Sequence, residues 1–309
     1  MKLWGAWLDP VYQKAIIGIF FYLLIFGLAL FPLRRKNLNF RTAWLIYLSW
    51  LFAAPIVCLI LGLAAPIPLV FIGIIALLAM REFFQMTGVY NDKLFIWPTY
   101  IATVLSISSI HYGLYWIYNL LPMILFGLLF QIPLLKNEFK QMIQKTSLCL
   151  VAFLFIGWAF LHMGFIAKWE HGARYIIYII LLTEFYDTII LSWSKLYGKI
   201  NFIEKIAPRR SLEGLIIGFV CTMLLARGIR NILPVDHHYY WIASGIIACL
   251  IGGLGDISMG VIRRDLGVKD VGAYVFGRGG IIDRIDRLIF VAPIYYYTIM
   301  LLRDYYLLK

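Results

Sequence analysis

The chain has 309 residues, 62% of them hydrophobic and only 14% charged, with a net charge of +12 and a mean hydropathy of +0.85. Soluble domains carry about 25% charged residues, so a soluble globular fold is excluded. Continuous rather than alternating apolar runs exclude a strand barrel as well. The composition leaves an all-α, polytopic, integral membrane helical bundle.

A spanning helix needs roughly 20 mostly apolar residues. That rule predicts about nine to ten transmembrane helices, near 15–33, 43–61, 62–80, 94–112, 115–135, 146–167, 175–193, 211–233, 239–262 and 287–303. Pro66 and Pro68 interrupt the start of the third, so 43–80 also reads as one span plus a re-entrant piece. Only a short turn around Tyr112 and Gly113 separates the fourth from the fifth. The first apolar run has no small-residue cleavage site after it and is expected to be kept as a helix. Cys58, Cys149, Cys221 and Cys249 stand singly inside apolar runs, without metal-ligand spacing, and read as small buried hydrophobes. Two regions are expected: N-terminal transmembrane helices over 1–170, and a C-terminal catalytic region with charged motif loops over 171–309.

With ten helices, alternate connections fall on opposite sides, and 20 of the 28 Lys and Arg residues gather on one side. The positive-inside rule makes that side cytoplasmic and puts both termini on the other. An active site on the cytoplasmic face of a bacterial-type inner (plasma) membrane follows as the expectation, with membrane lipids as neighbours. The basic loops there suit anionic substrates as well as the anionic leaflet.

Acids within the spans are the sharper signal, because charge at membrane depth is costly and usually lines a cavity. Glu184 and Asp187 lie three apart, on one face of the seventh helix. Asp256 lies at a matching depth on the ninth, which predicts a shared site. Glu82, beside Arg81 at the end of the third helix, reads at least as readily as half of a local ion pair.

The loop after the seventh helix carries Lys195, Lys199, Lys205, Arg209 and Arg210, and the eighth helix then opens near Ser211. A helix N-terminus with two arginines before it is a credible phosphate site, although a solvated basic loop explains the charge equally well. The stretch 255–287 is denser still, holding five of the protein's sixteen acids and six Lys or Arg. Within it, Gly277-Arg278-Gly279-Gly280 precedes the tenth helix, and such glycines let backbone N–H groups curl around an oxyanion. Asp283 and Asp286 follow on one face of that helix's first turn. Clustered carboxylates among cations fit Mg²⁺ holding a polyphosphate, since Mg²⁺ favours one or two carboxylates plus phosphates and water. No Walker loop, nucleophile elbow or H-E-x-x-H zinc motif is present in the sequence.

Ser258, Arg263-Arg264, Lys269-Asp270, Gly279-Gly280 and Asp283-Arg284-Ile285-Asp286 together resemble the C-terminal signature of the phosphatidate cytidylyltransferase (CDP-diacylglycerol synthase) family. Upstream, Pro208-Arg209-Arg210-Ser211-Leu212-Glu213-Gly214 is similar to the family's S-P-K-K-T-x-E-G. Tyr186-Asp187 with Gly198-Lys199 resembles its N-D and G-K elements. The chain differs where Tyr186 stands for Asn, Arg209 and Arg210 for lysines, and Arg278 for His. The resemblance implies transfer of the cytidylyl group of CTP to a lipid phosphate, with release of pyrophosphate.

It also implies the roles. Asp256 and Asp283 are expected at the metal, with Asp286 and Asp187 next, and Lys269 is expected in the catalytic set. Arg209, Arg210, Arg263, Arg264, Arg278 and Arg284 are expected on the phosphates of CTP or lipid, with Ser211, Glu213, Ser258 and Asp270 completing the polar lining. Mg²⁺ is the implied cofactor, together with a monovalent cation such as K⁺. Apolar faces of the seventh to tenth helices are expected to admit lipid chains sideways. No nucleic-acid partner is expected, and a homodimer is compatible with the reading. A CTP-dependent lipid kinase of the polyprenol type, and a transporter or lipid-binding protein using its intramembrane acids, stand as the alternatives.

Overall fold

The computed structural model describes residues 5–33, 38–137, 140–201, 206–207, 210–267 and 280–307, and all regular elements among them are helical. Helices are what apolar sequence must form in lipid, because every backbone N–H and C=O is satisfied within the segment. The long helices are α1 (Pro10–Leu33), α2 (Leu38–Leu61), α3 (Ile67–Met86), α4 (Lys93–Tyr112) and α5 (Tyr115–Lys136). They continue with α6 (Met142–Ala167), α7 (Gly172–Tyr197), α8 (Leu212–Gly228), α9 (His238–Asp265) and α10 (Ile282–Leu307). Eight of these are long and apolar enough to cross a membrane. The other two are α2, whose strongly apolar part is Tyr47–Leu61, and α8, whose 17 residues span about 26 Å at 1.5 Å each.

The order of the ten predicted segments is preserved, and the differences lie at helix ends. Residues 43–80 form two separate helices rather than one span with a re-entrant piece. Pro66 and Pro68 initiate α3, where a missing N–H costs nothing, so the helix is displaced toward the C-terminus and takes in Glu82. In α6 the segment Ala152–Ala159 is π-helical. There Phe160 N–H donates to Phe155 O at 3.3 Å, a five-residue step that widens the turn.

Contacts between connections sort the bundle into two ends. At one end Trp7 N–H donates to Gly62 O, Lys168 Nζ donates to Ile110 O, and Arg174 binds both Asp9 and the turn after α8. At the other, Asp92 takes Lys136 at 3.2 Å and Lys145 at 2.6 Å. Foremost the Lys145 hydrogen bond, then Lys136, holds the Asp92 carboxyl below its usual range. The starts of α8 and α10 and the end of α3 meet at this second end. Within the C-terminal group α9 packs on α7, α8 and α10, while α10 also touches α3 and α6.

Candidate active site

The connection from α7 to α8 is pinned before it supplies any chemistry. Ser211 Oγ caps α8, accepting from Gly214 N–H at 3.1 Å. Its own N–H donates to Ser194 Oγ on α7 at 2.9 Å. The Glu213 carboxylate folds back to accept the Ile200 N–H at 3.3 Å. These bonds hold Arg210 against the end of α7, with its side chain only 5% exposed.

From there Arg210 Nη2 reaches Asp187 Oδ1 on α7 at 3.0 Å and Asp256 Oδ2 on α9 at 2.5 Å. The two acids matched in depth by sequence are therefore bridged by one guanidinium. Its Nη1 is buried without a hydrogen-bond partner among the described residues. A second guanidinium, Arg287 on α10, lies 3.2 Å from Glu184, 3.3 Å from Asp187 and 3.4 Å from Asp286. The third, Arg263 on α9, pairs with Asp283 and lies 3.4 Å from Asp286.

Two glycines set these distances. A Cβ on Gly255 would lie 2.9 Å from Asp286 O and 3.0 Å from Arg287 Cα, so only glycine lets α9 and α10 touch backbone to backbone here. A Cβ on Gly280 would overlap the Glu82 carboxylate, whose Oε2 accepts the Ile282 N–H at 2.9 Å. Glu82 thus caps the start of α10 from α3 instead of pairing with Arg81, which lies over the Tyr90 ring at 5.9 Å. The Gly280 N–H is likewise turned to Asp283 Oδ2, at 3.3 Å. Both amides serve the protein's own carboxylates.

Among the described residues five carboxylates (Glu184, Asp187, Asp256, Asp283 and Asp286) meet three guanidiniums in ion pairs (Arg210, Arg263 and Arg287), with Arg284 close enough to act on Glu184 and Asp286. Carboxylates at the edge of a low-dielectric bundle need cationic partners. Among the described residues no three acidic, His or Cys side chains surround one point as a ready metal cage. Hard carboxylate oxygens in pairs, with buried Glu184 Oε1 lacking a hydrogen-bond partner, still suit Mg²⁺, which completes its shell with phosphates and water.

Of the residues picked out by sequence, Asp187, Asp256, Asp283, Asp286, Arg210 and Arg263 converge. Ser211 and Glu213 anchor the loop. Ser258 faces an apolar cavity, and Arg264 is exposed on the last turn of α9. Arg284 turns to Ser49 and the Trp50 ring of α2. Arg209, Lys269, Asp270 and Arg278 lie outside the described residues. Sequence reasoning missed Arg287, although a basic residue inside a span that faces acids on other spans is the same kind of signal. It also gave Glu184 no site role and left Glu82 undecided.

The sequence model of the cytidylyltransferase family matches residues 44–302. The chain belongs to this family: it is a CTP-dependent nucleotidyltransferase built into a membrane bundle. Among curated proteins it is 26% identical over 271 residues to the uncharacterized protein YnbB of Escherichia coli (strain K12), covering 85% of this chain and 87% of that one. It is 28% identical over 233 residues to the phosphatidate cytidylyltransferase of Staphylococcus aureus (strain COL), covering 73% and 87%. The corresponding protein of Staphylococcus haemolyticus is 33% identical over 172 residues, covering 55% and 64%.

Proposed function

We propose that the chain transfers the cytidylyl group of CTP to a lipid phosphomonoester, phosphatidic acid in the first instance, giving a CDP-activated lipid and pyrophosphate. The observation that carries this reading is the joining of Asp187, Asp256, Asp283 and Asp286 with Arg210, Arg263 and Arg287 at one end of the bundle. The phosphatidate cytidylyltransferases of the two staphylococci support the acceptor.

In this reaction a phosphate oxygen of the lipid bonds to the α-phosphorus of CTP while the bond to the β-phosphate oxygen breaks, and pyrophosphate leaves with the electron pair. The acceptor is already nucleophilic, so the protein's task is alignment and charge neutralisation. Arg210 and Arg263 can each exchange a carboxylate for a phosphate oxygen, and guanidinium suits either partner in bidentate fashion. Arg287, held on three sides by acids, keeps α7 and α10 in register and serves as a fixed internal cation. Asp256 and Asp283 are the residues to hold Mg²⁺, with Asp286 and Asp187 beside them, and a monovalent cation such as K⁺ fits the remaining charge. When bound, Mg²⁺ supplies neutralisation of the phosphates and orientation of the leaving group.

The basic connections support a cytoplasmic position for this end, on the side where CTP is available. Incubation of the purified protein with CTP labelled in the base and, separately, in the γ-phosphate, together with total membrane lipid, tests the reading. A lipid carrying the base label and labelled pyrophosphate are expected. A lipid carrying only the γ-phosphate would make the protein a lipid kinase, and the absence of any labelled lipid would remove the enzymatic reading.

A further inference from the structure

Beside the charged cluster, on the other face of α9, lies an apolar cavity of about 310 Å³. Phe83 of α3 and Ile156 of α6 form its buried floor. Phe155 of α6 and Val261 of α9, each more than a third exposed, stand at its mouth. Phe290 of α10 closes one wall, its ring centroid 5.3 Å from that of Phe155. The one polar residue among those lining it is Ser258, two residues along α9 from Asp256.

We infer that this cavity holds one acyl chain of the lipid whose phosphate sits among the arginines. The inference rests on the proposed transfer to a lipid phosphate and adds where the chain of that lipid goes. An apolar cavity of about 150 Å³ already admits a benzene molecule, so this one takes a run of several methylene groups. Its position supplies the rest of the argument. Asp256 and Arg263, which border the charged cluster, flank Ser258 and Ile262 on the same two turns of α9. Arg263, paired with Asp283 in the cluster, is the next residue after Ile262 of the cavity wall, so a phosphate held by Arg263 lies next to the apolar lining.

Two of the lining residues, Phe155 and Ile156, belong to the π-helical segment of α6. A five-residue turn widens the helix and displaces Phe155 and Ile156 from the positions an α-helix would give them. The lining comes from α3 and α6 as well as from α9 and α10, so the cavity adds two N-terminal helices to two of those in the predicted route.

The test uses the full-length protein in lipid nanodiscs of phosphatidylcholine. Phosphatidic acid bearing a photoactivatable diazirine in mid-chain is added, irradiated, and the labelled peptides are identified. Labelling concentrated on the 155–156 and 258–262 segments, suppressed by unlabelled long-chain phosphatidic acid and not by phosphatidylcholine, is expected. Labelling spread over the lipid-facing helices, or suppressed equally by phosphatidylcholine, overturns the inference by making the cavity an ordinary lipid-filled groove.

Kinetics give a second readout. Ile156→Trp and, at the mouth, Val261→Trp fill the space, and either is expected to raise the KM for dioleoyl phosphatidic acid about tenfold. Values of kcat, and all constants for dihexanoyl phosphatidic acid, are expected to stay near wild type. Unchanged KM for the long-chain lipid in a folded variant also overturns the inference. If the wild-type protein forms no CDP-lipid at all, the transfer reading fails, and the labelling pattern still judges the cavity.

Discussion

Two buried arginines, one at each end of the bundle, differ in how fully their nitrogens are satisfied. At the far end Arg174 donates from Nε to Ile232 O at 2.6 Å, from Nη2 to Asn231 O and Leu233 O, and from Nη1 to Asp9 at 3.4 Å. Every nitrogen has an acceptor, three of the four acceptors are backbone carbonyls, and the single acid, Asp9, also has His171 at 3.1 Å. Burial alone would raise the Asp9 carboxyl, but the Val11 N–H and the Arg174 charge outweigh it and leave it below its usual range. Arg210, at the opposite end, spends one nitrogen on two acids and leaves another buried without a partner among the described residues. Among those residues its surroundings carry more carboxylates than guanidiniums. A self-satisfied network ties segments together, whereas a network with spare acids and spare donors is built to receive ligands.

That contrast is most forcefully tested on the acids. Asp283→Asn and Asp256→Asn each keep side-chain volume while removing a charge. Each is expected to cut cytidylyl transfer by about 10³-fold with expression and detergent-solubilised assembly intact. Pyrophosphate release measured beside size-exclusion elution checks both, and near-wild-type turnover in either variant would take that residue out of the metal site.

The arginine pair comes next. Arg210→Gln should lose about 100-fold in turnover with a thermal midpoint close to wild type. Arg174→Gln should do the reverse, destabilising the protein by about 3 kcal/mol while the folded fraction keeps its kcat. Identical profiles for the two variants would erase the distinction between the ends.

A smaller effect is expected at Glu82, whose carboxylate caps α10. Glu82→Gln weakens a charge-assisted bond to the Ile282 N–H, costing about 1 kcal/mol, or roughly fivefold in turnover, read as a kcat change at constant KM for CTP. The smallest belongs to Asp92, clasped by Lys136 and Lys145 at the same end but away from the cluster. Asp92→Asn should cost under about 1 kcal/mol and leave turnover alone. Its folded carboxyl lies below the ordinary value of 3.8, so its stabilisation is complete above that pH and disappears as pH falls through the lowered value. Wild type and variant should therefore melt further apart at pH 6 than at pH 3.

Much of this arrangement was legible in the chain. Apolar runs of spanning length located the ten helices, because in lipid length and hydropathy leave few alternatives. The three-residue step from Glu184 to Asp187 and the matching depth of Asp256 pointed to their lying together, and Arg210 bridges Asp187 and Asp256. Helix ends were less legible, since proline can either stop or start a helix: Pro66 and Pro68 start α3 and so carry Glu82 inward to α10. Arg287 escaped notice because its meaning is tertiary, lying in acids contributed by α7. The π-helical stretch of α6 had no signal in composition or period, and neither had the cavity beside Ser258.

The most direct measurement of the central claim is a stoichiometric one. Purified protein receives CTP, Mg²⁺ and phosphatidic acid, and pyrophosphate and CDP-diacylglycerol are quantified together, with Asp256→Asn run in parallel. The account predicts the two products in equal amounts, dependence on both CTP and Mg²⁺, and loss of both products in the variant. Pyrophosphate without CDP-lipid, or equal activity in the variant, would contradict it.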